Sequence, residues 1–435
     1  MADPPSTPAQ PIAEASDLGG AVTASPLPGG RRKAALGFIF VTVLLDILGI
    51  GIIIPVLPNL VKSFTHGDAG SAADYVGLFG AVWALMQFVF SPVQGALSDH
   101  FGRRPVLLIS IFGLGADYVL MALSPNLVWL FVGRAISGIT AASFSTANAY
   151  VADITAPKDR AASFGLLGTA FGIGFIIGPS VGGLLGQVDP RLPFWAAAGL
   201  AFANGMYGLF VLPESLPKDR RAPFRLANAS PIGSLKLLVR YPGLLQLGGV
   251  MFLYFLGFQA LQSVTVLYTN LRYGWTPNAM GLCLGGIGLA SIVVQAGVVR
   301  PFVRRFKERG ALYTGLAFGM AGMFVYGWAP TGVLFWLGVP VFGLVGLVQP
   351  GVQGMMTRRI RPDEQGRLQA ANSSIMAVTG LVGPLLFTQI FHRLVADRRA
   401  PILAGAPYYL AALLFLAALS LALLTRSSGE TAADA

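Results

Sequence analysis

The chain is poor in the groups from which reactive surfaces are made. It has one cysteine, three histidines, and charged side chains at only 11% of its 435 residues. Soluble globular chains carry about 25% charged residues. The lone Cys283 excludes an intramolecular disulfide, and its apolar neighbours make it a small core residue rather than a reactive thiol. His66, His100 and His392 fall near expected helix ends and form no metal constellation. No GxxxxGK[ST] loop is present, so nucleotide hydrolysis is not the energy source. No nucleophile–base arrangement is visible either, and the chain is not read as an enzyme. The first 30 residues lack the apolar stretch of a signal peptide. Rich in Pro, Ala and Gly, residues 1–33 are expected to be a disordered tail.

What the chain does have is oil-soluble length. Hydrophobic residues make up 54%, mean hydropathy is +0.67, and there are 55 glycines. A bilayer-crossing helix needs about 20 mostly apolar residues. Twelve such spans fit, at 34–62, 74–97, 105–124, 127–152, 160–186, 192–212, 243–270, 277–300, 310–328, 331–357, 367–392 and 402–424. The pattern predicts an all-α membrane protein of two pseudo-symmetric six-helix bundles, 34–212 and 243–425. They are joined by a polar linker, 213–242, and followed by a short tail, 426–435. The Gly-Pro pairs at Gly178-Pro179 and Gly383-Pro384 are 205 residues apart, and Gly95 and Gly297 are 202 apart. Two similar offsets, each six spans long, support an internal repeat.

Net charge is +11, but it does not point to nucleic acid, because position organises it. One side of the expected membrane carries only Lys62, Arg191, Arg272, Arg393, Arg398 and Arg399; apart from Arg134, every other Lys and Arg falls on the opposite side. The positive-inside rule makes that basic side, with both termini, cytoplasmic.

Three formal charges lie well inside spans: Asp46, Asp117 and Arg134. An internal charge costs about 2.5–3.5 kcal/mol on insertion scales unless it pairs, meets water or is neutralised. Helical rise puts both acids roughly 18 Å from the basic side, and Arg134 about 10 Å below the other, which is one level in a core about 30 Å thick. An Asp117–Arg134 ion pair is expected across the short turn joining spans 3 and 4. Two readings remain open. The pair is a static lock between helices, or at least one acid alternates between protonated and ionised forms as its cation comes and goes. The C-terminal six spans hold no acid at this depth.

The stretch Gly95-Ala-Leu-Ser-Asp99-His-Phe-Gly102-Arg103-Arg104 resembles the loop between spans 2 and 3 of the major facilitator superfamily. Arg134 with Gly138 resembles that superfamily's span-4 motif, with Ser137 in place of the usual Gln. Gly174-Phe-Ile-Ile-Gly178-Pro179-Ser-Val-Gly182-Gly183 resembles the span-5 motif of its antiporters. Segments including LLDILGIGIIIPVLP, GADYVLMAL and SIMAVTGLVGPLLF make the chain after residue 33 similar to the twelve-span tetracycline/proton antiporters.

That resemblance implies proton-coupled export of a hydrophobic or amphipathic compound across a bacterial-type inner membrane, by rocking two bundles. Asp46, Asp117 and Arg134 match its coupling groups. Asp99 and Arg103 match its gating loop, which Gly95, Gly102 and Arg104 complete and which Asp153 is expected to join. Gln87, Gln259 and Gln295 match polar groups along the substrate path. Aromatic neighbours of Gln259, such as Phe255 and Phe258, are candidates for an amphipathic wall. The partners implied are lipid, a small amphipathic substrate and protons, with no cofactor; a metal-chelated substrate is one form the family handles. Three departures bear on that form. Ser291 aligns with a histidine, Gly319 with an acid, and Asn270 with another acid near the outer end of span 7. The glycines of span 5 are equally explained by close packing or by bending at Pro179. A symporter, an exporter of an endogenous metabolite or lipid, and a transporter-shaped receptor or scaffold are the rival readings.

Overall fold

A computed structural model describes residues 29–140, 143–155, 160–221, 237–241, 243–361, 364–396 and 401–425. Of the expected tails, 1–33 and 426–435, residues 1–28 and 426–435 lie outside the described residues, as does most of the linker, whereas residues 29–33, expected to be disordered, are helical. Among the described residues there is no strand.

The first half contains α1 (Gly29–Ile53), α2 (Leu57–Phe64), α3 (Ala69–Phe101), α4 (Arg103–Leu123), α5 (Leu127–Thr140), α6 (Ser143–Ile154), α7 (Arg160–Val188) and α8 (Leu192–Val211). The second contains α9 (Leu244–Tyr273), α10 (Pro277–Val293), α11 (Val299–Trp328), α12 (Gly332–Gly343), α13 (Val348–Thr357), α14 (Gln365–Ala396) and α15 (Ala406–Leu424). Over the described residues each of the twelve expected spans falls on helix, but several differ in detail. Span 34–62 is broken between α1 and α2, where Pro55 brings no N–H and the Asn59 amide bonds the Pro55 carbonyl at 3.1 Å. Helix α3 runs 33 residues, well past the expected 74–97, because Asp68 caps it by accepting from the Ser71 N–H at 2.7 Å. Spans 8 and 9 form one 52-residue helical stretch, Pro277–Trp328. It passes through a π-turn at Val294–Val298 and breaks direction at Lys307, whose φ of 60° is left-handed. Ten described helical stretches are long and apolar enough to cross a membrane; α5 and α6 together occupy the expected fourth span.

Within the first half α1 packs on α7 and α8, and α4 on α5 and α8; in the second, α9 packs on α14 and α15, and α11 on α15. Two helix pairs make most of the contact between the halves, α3 with α14 and α7 with α10, and α9 adds smaller contacts with α2 and α3. Both pairs run along the half of the molecule away from the basic loops. On α3, Gly70 faces His392, Gly77 faces Thr388, Gly80 faces Pro384, and Ala84 faces Gly380. On α7, Ile176, Pro179, Ser180 and Gly183 face Gly288, Gly281, Gly285 and Pro277. Toward the basic end, Leu85 and Val89 of α3, and Met376 and Val378 of α14, are exposed. The halves are thus clasped at the non-basic end.

Candidate transport and coupling site

The buried charges of the first half share a polar interior made by four helices. Asp46 on α1 and Asp117 on α4 are both buried. The Asn204 amide on α8 donates to Asp46 Oδ1 at 3.1 Å and to the Thr42 carbonyl at 3.2 Å. Asn204 is fully buried, so this amide ties α8 to the acid-bearing turn of α1. The sequence carried its signal as an amide inside the apolar run LAFANGMYGL, yet only formal charges drew notice there.

The expected Asp117–Arg134 ion pair is not made. No contact within 4.0 Å joins them among the described residues, and neither Asp117 oxygen makes a hydrogen bond. The Arg134 guanidinium instead lies over the Trp83 ring of α3, 5.7 Å from its centroid, which satisfies part of its charge without a carboxylate. Arg134 remains the cation whose field reaches Asp117, with Ser137 beside it. Gly133 lets α5 approach closely: a methyl built there would stand 2.9 Å from Asp117 Oδ1. Tyr118, next along α4, is buried with its hydroxyl unpartnered, beside Gly49 of α1.

At the basic end the gating residues converge. Arg103 Nη1 meets Asp99 at 2.5 Å and donates to Ser98 Oγ at 2.6 Å, while Nε meets Asp153 Oδ2 at 3.1 Å. The Ser215 hydroxyl donates to the same Asp153 oxygen at 3.1 Å. Glu214 was not anticipated and holds the centre of this end. Its carboxylate accepts from the backbone N–H groups of Arg103 at 2.9 Å, Arg104 at 3.4 Å and Leu216 at 3.0 Å. That is an acid at the positive end of α4. Gly102, at φ 106°, gives it room, because any side chain there would strike the Glu214 carboxylate. Arg104 reaches the Leu209 carbonyl at 2.7 Å. Gly95 has open space around it, on the rim of a surface cavity with Asp99, Arg103 and Thr146.

The glycines of α7 split between two partners. Gly174, Gly178 and Gly182 face α1: built methyls at the first two would stand 3.0 Å from Ile47 Cβ and 2.8 Å from the Gly51 Cα, and Gly182 abuts the Ile52 carbonyl. Gly183, one residue on, faces α10, with Asn278 and Gly281 Cα atoms 3.1 Å from its methyl site. Pro179 is received by Gly51 on one side and Gly281 on the other.

The substrate candidates separate. Gln259 of α9 lies under Gly380 and Gly383 of α14, near Ala84 of α3, where the halves meet. Phe258 stacks on Phe342 with ring centres 6.0 Å apart, and Phe255 packs on Tyr254 at 5.0 Å, so both belong to an aromatic cluster of the second half. Gln87 is half-buried on α3. Gln295 is exposed on the π-turn. Ser291 is half-buried one turn earlier. Gly319 is buried beneath Phe415, whose ring atoms would stand 2.9 Å from a methyl there; an acid at that point has no space. Asn270 accepts from Lys62 Nζ at 2.7 Å, across the halves. A second clamp stands nearby: Asp74 on α3 meets His392 Nδ1 at 2.5 Å and accepts from Gln389 at 2.9 Å, both on α14.

Two helical bundles clasped at one end, with charges buried in one of them, are an arrangement that suits a membrane transporter. The Major Facilitator Superfamily model matches residues 39–384, and the chain belongs to that superfamily. It is 38% identical to the class C tetracycline resistance protein of Escherichia coli over 83% of this chain and 90% of that protein. It is 36% identical to the class D tetracycline resistance protein of Salmonella ordonez, over 81% and 88%. Among solved structures, the human organic anion transporter MFSD10 (TETRAN) superposes with a TM-score of 0.67 at 24% identity, covering 91% of this chain and 100% of that one. The nucleoside transporter NupG superposes at 0.71 with 11% identity, over 89% and 98%.

Proposed function

We infer that this protein exports a hydrophobic or amphipathic compound in exchange for protons, with the basic end cytoplasmic in an inner membrane and tetracycline-like drugs as candidate substrates. One observation carries the coupling. In the first-half interior neither oxygen of the buried Asp117 has a hydrogen-bond partner, and the Arg134 guanidinium stacks on Trp83 instead of pairing with it. A buried carboxylate without a partnered cation is strongly disfavoured in its ionised form. Protons are the remaining neutraliser, and each proton moving inward releases about 2.3 kcal/mol per 100 mV. Conformational exchange that brings Arg134 to Asp117 would expel that proton.

The drug side of the proposal rests on the tetracycline resistance relatives and on the Gln259 region where the halves meet. Ser291, Gly319 and Asn270 favour a second reading, in which the substrate is another amphipathic compound or an endogenous metabolite. A metal chelate would lose an acid at Gly319 and find Phe415 in its place. Proteoliposomes with a trapped pH dye test both. With an inward proton gradient, wild-type protein should move tetracycline or another panel compound outward, and substrate addition should release protons. Asp46→Asn should abolish uphill movement while leaving counterflow. Uphill movement undiminished in both Asp46→Asn and Asp117→Asn would refute the coupling assignment. Binding without flux for any compound would leave a receptor.

A further inference from the structure

Unpartnered buried polar atoms are rare in folded proteins and are ordinarily met by internal water. Among the described residues one group of them lies inside the first bundle. Thr42 Oγ1, both Asp117 oxygens, the Tyr118 hydroxyl, Arg134 Nε and Asn204 Oδ1 all lack a hydrogen-bond partner, and Thr42, Asp117, Tyr118 and Asn204 are each at most 2% exposed. They come from α1, α4, α5 and α8, so no single helix explains them. Tyr118 adjoins both acid-bearing helices. Its hydroxyl would lie 3.7 Å from a methyl built on Gly49, one turn beyond Asp46 on α1, while Asp117 precedes it on its own helix. The charged groups whose fields meet at this phenol are Asp46, Asp117 and Arg134; α8 presents Asn204 and no charge.

We propose that the Tyr118 hydroxyl, with internal water, links Asp46 to Asp117, so that the two acids hold and pass one proton as a unit, with Asn204 anchoring Asp46. A phenol can donate to one carboxylate while accepting from the other. With Asp117 protonated and Asp46 ionised, the Asp117 proton passes toward the phenol oxygen as the phenol proton passes toward Asp46. The phenol ends neutral, one carboxyl is exchanged for the other, and rotation of the hydroxyl resets the path. Asn204, whose amide fixes Asp46 Oδ1, keeps that acceptor facing the relay. Tyr118 carries the proton, and Asn204 is a positioning residue. The inference rests on the proton-coupled reading above, but its test does not require any substrate.

The test is infrared titration of carboxyl groups in purified full-length protein. Groups that share a proton titrate as a pair, with apparent midpoints separated by more than about one pH unit. In the wild-type background, Asp46→Asn is expected to move the Asp117 midpoint by at least about one pH unit. In the Tyr118→Phe background the same substitution should move it by less than half as much. Equal shifts in both backgrounds would overturn the proposal. Tyr118→Phe keeps the ring and removes one oxygen, and monodisperse elution verifies its fold. Should that check fail, Asn204→Ala, which frees Asp46 without touching the phenol, takes its place; a shift undiminished there would also overturn it. Vesicle assays read the parent idea separately. Transport without proton exchange in wild type would sink coupling, whereas coupled transport with unlinked titrations would sink only the relay.

Discussion

Removing the two clamps at the non-basic end should shift the balance between conformations by an amount that can be worked from their geometry. Lys62 donates to Asn270 at 2.7 Å, and Asp74 meets His392 at 2.5 Å and Gln389 at 2.9 Å. Asp74 and His392 side chains are about one-third exposed, so their pair is worth about 0.2–1 kcal/mol. A hydrogen bond to a charged donor is worth about 1.5–3 kcal/mol when shielded, and the half-exposed Lys62 contact about 1 kcal/mol. The clamps share no partner, so their costs add. Lys62→Met with Asp74→Asn should therefore cost the clasped form about 1–2 kcal/mol, a population change of roughly 5–30-fold. Spin labels on Phe101→Cys and Arg361→Cys would report the gap at the basic end by electron–electron resonance. The native Cys283 is buried and need not be removed. The distance distribution should move toward the shorter, basic-end-closed population. A ratio unchanged within twofold in folded double variant would show that the clamps do not hold the halves.

Gly178→Ala places a methyl 2.8 Å from the Gly51 Cα and should cost about 1–3 kcal/mol, read as a lower thermal midpoint; Gly199→Ala, with open space around it, should not. Glu214→Gln removes the charge at the start of α4 and should raise amide exchange at Arg103 and Arg104 several-fold, by about 0.3–1 kcal/mol. Hydrogen bonds from the Ser71 hydroxyl and N–H hold the Asp68 carboxyl below its ordinary 3.8. Its folded value being the lower one, its stabilisation is complete above pH 3.8 and lost as pH falls through the folded value. Thermal midpoints of wild type and Asp68→Ala should differ at neutral pH and converge below that window. Gly319→Asp should destabilise by displacing Phe415, and Gly319→Asp with Phe415→Ala should recover much of the loss in a melting assay.

Helices and their order were legible because a bilayer demands long apolar runs and the basic loops alternate between them. Asp46, Asp117, Arg134 and the Arg103 cluster were legible because charge is scarce in such runs. What stayed hidden was uncharged or distant in sequence. Glu214 lies 111 residues from the N–H it accepts, and nothing local connects it to α4. Asn204 and Tyr118 are polar without charge, so composition did not flag them. The Asp117–Arg134 pair was expected from common depth and the short turn between their helices, and neither says anything about azimuth: Trp83 on a third helix captures the guanidinium. The Gly319–Phe415 fit depends on two helices meeting nearly a hundred residues apart.

Where Gly178, Pro179 and Gly183 of α7 meet Gly51 of α1 and Gly281 of α10, glycine and proline lie against glycine, while Ile47, Val56 and Ile176 seat side chains elsewhere along the same contacts. Knobs seated in holes must unseat before one surface can pass another; smooth surfaces need not. The contact of Gly183 and Pro179 with Gly281 therefore works as a plain bearing, on which one half can turn by shear with little repacking. Friction in such a machine would be set by the smallest side chains it contains, and a single added methyl would act as grit.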